Sequence, residues 1–269
     1  MKMCSIPVLP ACALAAVLLA GCSGNSSGVF QGYIEGEYVY VAAPLGGALT
    51  NLAVARGDSV TNGQLLFELE RGSEAAALDV AKKNLMQAKA SLALSEAEFA
   101  RREKLRGDQG VVSAEELDQA RAQRDADSAL AESQQAALDK AQWSFDQKQQ
   151  FAPTNAFVED TLYRQGEWVA AGNPAVVLLP PANLKVRFFV PETLLAAIKT
   201  GANVSVTFDG GTHPYSATVN YISTQAEFTP PVLYNRENRA KLVFMIEAKC
   251  SPADAADLRP GQPVDVKLP

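Results

Sequence analysis

The sequence predicts a mainly β protein carrying one long α-helical coiled-coil hairpin, with a sandwich split into two halves and a small β-barrel. Three observations lead there. A segment near the start recurs later in the chain, the stretch between the copies has no proline and is rich in helix formers, and the last third alternates apolar and polar residues.

The repeat comes first. Ala43–Leu69 reads APLGGALTNLAVARGDSVTNGQLLFEL, and Ala152–Leu178 reads APTNAFVEDTLYRQGEWVAAGNPAVVL. They align without a gap at a constant offset of 109 residues, as from Ala43 to Ala152. Pro44 matches Pro153, Val60 matches Val169 and Leu69 matches Leu178. Gly57 and Gly166 each precede an acid, and Gly63 and Gly172 each follow six residues later. Glycine reaches positive φ readily, so these four mark tight turns between short strands. One copy has too few strands to close a core, so two copies are expected to pack face to face. Arg56-Gly57-Asp58 recurs as Gln165-Gly166-Glu167 without its arginine, so it reads as a turn and not as an adhesion motif.

Between the copies, 73–150 supplies two helical arms. Leu78, Ala81, Leu85, Ala88, Leu92, Ser95, Phe99 and Arg102 follow steps of three and four, as do Leu117, Ala120, Arg124, Asp127, Ala131, Gln134, Leu138, Ala141 and Phe145. An antiparallel register sets Leu78 against Ala141, Phe99 against Ala120 and Arg102 against Leu117. It leaves Ser95 opposite Arg124 and Leu92 opposite Asp127, a polar middle. Gly107 and Gly110 break the pattern between the arms. Each arm would extend about 50 Å at about 1.5 Å per residue.

At the far end, Ser113 and Glu116 form a capping box. Arg101 and Leu105 share a helix face at i and i+4, presenting a charge and an apolar knob.

The N-terminus reads as a targeting segment. Lys2 precedes the apolar run Val8–Ala20, which is too short to span a bilayer, and the run ends in Leu19-Ala20-Gly21-Cys22. This resembles the lipobox of bacterial lipoproteins, which would make Cys22 the lipidated first residue of the mature chain. Cys4 and Cys12 then leave with the signal, and Cys250 is expected to be a buried, inert thiol without a disulfide partner.

The C-terminal segment predicts a β-barrel. Leu184–Glu192 alternates as a strand, Thr193–Gly201 reads as a short helix closed by glycine, and further strands follow to the end. The composition excludes other classes. A net charge of −6 leaves no basic footprint for nucleic acid, and His213 is the sole histidine, so no multi-histidine metal site can form; no Ser–His–acid set or phosphate loop stands out in the sequence. His213 is assigned no role.

The paired turns resemble the half-motifs of lipoyl- and biotinyl-type domains. No lysine occupies the joining turn that carries a cofactor in those domains, so no cofactor is expected. Taken together, the lipobox, the split lipoyl-like barrel-sandwich and the hairpin with an Arg…Leu…Ser tip resemble the HlyD-like membrane fusion proteins, periplasmic adaptors of tripartite efflux and secretion systems. The resemblance divides the chain into a signal peptide (1–21), a linker (22–32), the two sandwich halves (33–72 and 151–181), the hairpin (73–150) and the barrel (182–269). It implies a non-enzymatic adaptor between an inner-membrane transporter and a TolC-like outer-membrane channel, acting as a homo-oligomeric ring, often of six subunits. It also implies channel contact by Arg101, Leu105 and Ser113, whose spacing is one residue longer than the family's pattern. Ala226–Lys249 resembles the adaptors found with ABC-type exporters. An RND-type partner and a coiled-coil scaffold lipoprotein without transport are the alternatives. The lipid anchor is expected in the inner membrane, with the outer membrane left open by Ser23 after Cys22. Cys22→Ser is expected to abolish incorporation of a labelled fatty acid and to move the protein out of the membrane fraction. Retained label in that variant would overturn lipidation.

Overall fold

The computed structural model describes residues 28–109, 111–211, 213–228, 242–251 and 254–268. The expected signal peptide, Cys22 and Ser23 lie outside them, as do Gly110 and much of the 226–249 stretch. The chain forms two compact units, one of them Glu37–Asn183 and the other built from segments on either side of it.

The first unit holds the repeat and the hairpin. The first copy supplies β2 (Val39–Ala42), β3 (Gly47–Leu52), β4 (Ser59–Val60) and β5 (Leu65–Leu69). The second supplies β6 (Gln149–Phe151), β7 (Ala156–Thr161), β8 (Trp168–Val169) and β9 (Pro174–Leu179). The copies do not stack as separate sheets. They interleave into two four-stranded sheets, β2-β9-β7-β4 and β6-β5-β3-β8, and exchanging the copies converts one order into the other. The hydrogen bonds obey the same exchange. Gly57 N–H donates to the Val158 carbonyl at 2.8 Å and Gly166 N–H to the Leu49 carbonyl at 2.8 Å. The Asp58 carboxylate accepts from Ala55 N–H and the Glu167 carboxylate from Arg164 N–H, both at 2.8 Å. Even the strand irregularities correspond, with a register shift between Leu49 and Asn51 in one copy and between Val158 and Asp160 in the other. The core between the sheets contains Leu49, Leu66, Phe67, Leu69, Val158, Val169, Val176 and Leu178, each no more than 1% exposed. Full burial of one such side chain stabilises by about 1.5–3 kcal/mol.

The hairpin rises from this sandwich as α1 (Gly72–Gln109) and α2 (Ala114–Asp146). Leu78, Ala81, Leu85, Ala88, Ser95, Leu117, Ala120 and Ala131 are buried, and the other expected seam positions are half-buried. Cross-contacts match the expected register to within one residue. Arg102 Nη1 donates to the Glu116 carbonyl at 3.3 Å, and Arg121 lies over Phe99 at 5.8 Å. The polar middle resolves locally. Ser95 Oγ donates to the Leu92 carbonyl at 3.0 Å, and Arg124 lies over the Phe99 ring at 4.6 Å while pairing with Asp125. One expectation is corrected: α1 runs through Gly107 without a break. A lone glycine weakens a helix by only about 1 kcal/mol, less than the neighbouring turns contribute.

The second unit is a closed six-stranded barrel of order β1-β10-β13-β12-β11-β14. Its strands are β1 (Val29–Gly36), β10 (Leu184–Pro191), β11 (Asn203–Thr207), β12 (Tyr215–Phe228), β13 (Leu242–Cys250) and β14 (Pro263–Lys267). Val186, Phe188, Val190, Val206, Ile246 and Val266 fill it and are inaccessible to solvent. Here the structure departs from the expected boundaries. Val29–Gly36 is neither linker nor the start of the sandwich but closes the barrel between β10 and β14. Gly32 permits the approach, because a Cβ there would sit 2.5 Å from the Arg187 carbonyl oxygen. The expected helix of Thr193–Gly201 shortens to α3 (Glu192–Leu195), after which tight turns bury Ile198. Outside the barrel wall, Lys185 and Arg187 each pair with Glu35 and Glu247. Burial opposes ionisation of Glu247, but the two cations outweigh it and hold the carboxyl below its ordinary value. Cys250 is buried, and that burial, with Asp254 nearby, pushes its thiol up to about 11.

Gly57 and Gly166 sit at φ of 92° and 93°, and nothing lies within 4 Å of a Cβ added at either. Gly57→Ala and Gly166→Ala should therefore each lose about 1–2 kcal/mol from backbone strain alone. Chemical denaturation is expected to give nearly equal values for the two.

Candidate functional site at the hairpin tip

The tip is built from the last turns of α1 and the start of α2. Ser113 is the N-cap of α2, with extended φ and ψ. Its hydroxyl accepts from Glu116 N–H at 3.2 Å and donates to the Glu116 carboxylate at 2.9 Å, while that carboxylate also accepts from Ser113 N–H at 2.9 Å. Both halves of the expected capping box are present, and they satisfy donors that a helix start leaves orphaned. The hydrogen bonds from Ser113 hold the Glu116 carboxyl below its ordinary value.

Arg101 is exposed and Leu105 half-buried, one helical turn apart on α1. Arg102 is turned to a structural use, since it pairs with Glu98 at 2.9 Å and reaches the Glu116 carbonyl across the hairpin. Lys104 and Arg106 are exposed beside them. Val111 is 67% exposed, an apolar side chain at the extremity that sequence reasoning did not single out. Its signal was available, because Val111 and Val112 are an apolar pair between a glycine and a cap, where polar turn residues are the norm. The tip thus offers cations beside apolar side chains, a surface suited to docking rather than to bond chemistry. Gly57, Gly63, Gly166 and Gly172 belong to the sandwich turns and all have positive φ. Among the described residues, no group of three or more His, Cys, Asp or Glu could hold a metal ion.

Comparison with known proteins gives this geometry relatives. Residues 77–148 match the domain described as the RND MFP alpha-helical hairpin domain, where MFP denotes membrane fusion protein. A UPF0194 membrane protein of Enterobacter sp. strain 638 is 25% identical, over 97% of both chains. The uncharacterized protein YdhJ of Escherichia coli K12 is 30% identical, over 66% of this chain and 61% of that one. The membrane fusion protein Spr0693 from Streptococcus pneumoniae R6 superposes with a TM-score of 0.66, at 20% identity over 90% of this chain and 98% of that one. Over residues 77–148 the chain thus matches the hairpin domain of membrane fusion proteins, and its fold is that of Spr0693.

MacA from Actinobacillus actinomycetemcomitans shares the fold of this chain, with a TM-score of 0.59 at 19% identity over 90% of this chain and 78% of that one. No helix among the described residues is long and apolar enough to cross a membrane.

Ser113→Ala is expected to lower hairpin stability by about 1 kcal/mol through loss of the cap. Gly107→Ala should raise it by about 0.5–1 kcal/mol, because nothing lies within 4 Å of the added Cβ. The depressed Glu116 carboxyl adds stability that is present above the ordinary glutamate value of about 4.3 and is lost as pH falls through its lowered folded value. Thermal melts followed by circular dichroism should show that acid sensitivity diminished in Ser113→Ala.

Proposed function

We propose that this chain is a membrane fusion protein, a lipid-anchored periplasmic adaptor connecting an inner-membrane exporter to a TolC-like outer-membrane channel for the export of small molecules. The observation that carries the reading is the lever itself. Two helices of 38 and 33 residues project from a sandwich that holds both their ends, and they carry exposed Arg101, half-buried Leu105 and exposed Val111 at the far end. At about 1.5 Å per residue the lever reaches about 50 Å, which suits bridging a gap. Lipidation of Cys22 would hold the chain at the inner membrane, though Ser23 is compatible with the outer one. Arg101 and Leu105 would contact the channel directly, and Ser113 would add its backbone-anchored hydroxyl. Copies of the chain would close into a ring, of about six subunits by family resemblance, through repeated head-to-tail contacts around a conduit.

For the exporter, an ABC-type partner is supported by the resemblance of Ala226–Lys249 to adaptors of that class. An RND-type partner is the second reading, favoured by the match of residues 77–148 to the hairpin domain of RND membrane fusion proteins. A purely structural scaffold is the reading from another class, and it needs no specific tip chemistry.

Arg101→Glu combined with Leu105→Glu should abolish export while leaving protein abundance and helicity unchanged. Export that persists at normal abundance would remove the docking role of the tip. Deleting candidate ABC genes should reproduce the loss. Loss only on deletion of an RND gene would transfer the adaptor to the second partner class.

A further inference from the structure

Lys148 lies just after α2, in a run of polar residues where a lysine would ordinarily be solvated. It is instead 4% exposed, and its Nζ reaches two separate elements. Glu74 Oε1, in the first turn of α1, is 3.0 Å away, and the Gly46 carbonyl, in the connection between β2 and β3, accepts from it at 2.7 Å. Its backbone engages two more. The Lys148 carbonyl accepts from Leu69 N–H of β5 at 2.8 Å, and its own N–H donates to the Phe145 carbonyl at the end of α2 at 3.4 Å. One residue therefore ties together the start of α1, the end of α2 and two parts of the sandwich. The space around it is fitted to it, because a Cβ on Gly47 would come within 3.1 Å of the ammonium nitrogen. Burial opposes ionisation of Glu74, yet Lys148 and Ser73 prevail and hold that carboxyl below its ordinary value. Arg71 braces the same joint from outside, pairing with Glu68 at 2.8 Å and lying over the Phe145 ring at 4.5 Å.

We infer that Lys148 is the positioning residue that fixes the direction in which the hairpin leaves the sandwich. The physical need is leverage. With an arm of about 50 Å, an angular play of about 5° at the base displaces the tip by about 4 Å, more than a hydrogen-bonded contact tolerates. A hydrophobic joint alone is non-directional and would permit that play. An ammonium held between a carboxylate and a carbonyl is directional, and with little access to water it is weakly screened. The same geometry makes Lys148 unavailable as a cofactor-bearing lysine, since its nitrogen is enclosed and already engaged. The functional weight of this clamp rests on the adaptor reading, but its structural content does not.

The test is a distance measurement between spin labels on the full-length chain carrying Cys4→Ser, Cys12→Ser and Cys22→Ser. Labels at Arg56→Cys in the sandwich and Ala122→Cys on α2 report hairpin direction, while labels at Lys82→Cys and Ala137→Cys report the spacing of the two arms. All four positions are exposed, and buried Cys250 is left unlabelled. Lys148→Met keeps the length of the side chain and removes the charge. The first distance distribution should become roughly twice as broad in Lys148→Met, broader than in the unaltered chain but by less in Glu74→Gln, which leaves the bond to the Gly46 carbonyl, and no broader in the double variant than in Lys148→Met, which already cuts both links. The second distribution should stay as narrow as in the unaltered chain. A first distribution unchanged in Lys148→Met overturns the inference, and so does equal broadening of both pairs, which would mean that the hairpin itself had opened. Glu74→Gln keeps the test available should Lys148→Met fail to fold. The readout involves no exporter, so failure here leaves the proposed function standing, and failure of the export test leaves the clamp standing.

Discussion

Two hydrogen bonds, from Gly57 N–H to the Val158 carbonyl and from Gly166 N–H to the Leu49 carbonyl, express the constraint on which the fold of Glu37–Asn183 depends. Each half pairs two strands within itself, β3 with β5 or β7 with β9, and takes the two outer strands of each sheet's order from across the halves, so neither completes a sheet alone. Whatever lies between the halves must leave the sandwich and return to it. Two antiparallel helices of nearly equal length satisfy that requirement with the least disturbance, since both ends of the excursion come back to the same place. The long hairpin is thus a consequence of the split sandwich as much as of its own helical sequence.

Within the hairpin the physical demands change along its length. Near the sandwich, Leu78, Leu85 and the small Ala81 and Ala88 make a dry seam, and Lys148 and Arg71 add directional links. Further out, Ser95 is satisfied by its own helix and Arg124 leaves the seam to lie on Phe99, so the arms are held there by less apolar contact. At the extremity, capping and the Arg102 bridge to Glu116 add to the burial of Leu117 and Ala120. A lever arranged in this way is most constrained at its base, where bending would be amplified, and most exposed at its free end. The turns at Gly57 and Gly166 carry no such role. The Asp58 and Glu167 carboxylates are engaged in closing their own turns, which gives the Arg56-Gly57-Asp58 tripeptide a sufficient structural reason.

The barrel follows a different logic. Among the described residues its interior is apolar, while its wall carries a linked set of Glu35, Lys185, Arg187 and Glu247 in which each cation serves two carboxylates. Sharing of this kind lowers the penalty of partial burial, although such a network specifies a strand register more than it adds stability. Here it joins β1, β10 and β13, and the first of these comes from the opposite end of the chain.

The sequence by itself determined the features whose cause is local and repeated. The offset between the halves, the four turn glycines, the seam from Leu78 to Arg102 and the Ser113 cap all rest on spacing along the chain, and spacing is visible without coordinates. Tertiary structure alone decided the rest. That Val29–Gly36 pairs with Leu184–Pro191 depends on two strands far apart in sequence, and nothing in either names the other. The interleaving of the sandwich copies, in place of a simple stacking, is likewise a matter of which edges meet. Lys148 is the sharpest case. Among glutamines it reads as a solvated lysine, and only the convergence of Glu74 and Gly46 on its nitrogen makes it a buried tie, because burial is a property of what arrives from elsewhere in the chain.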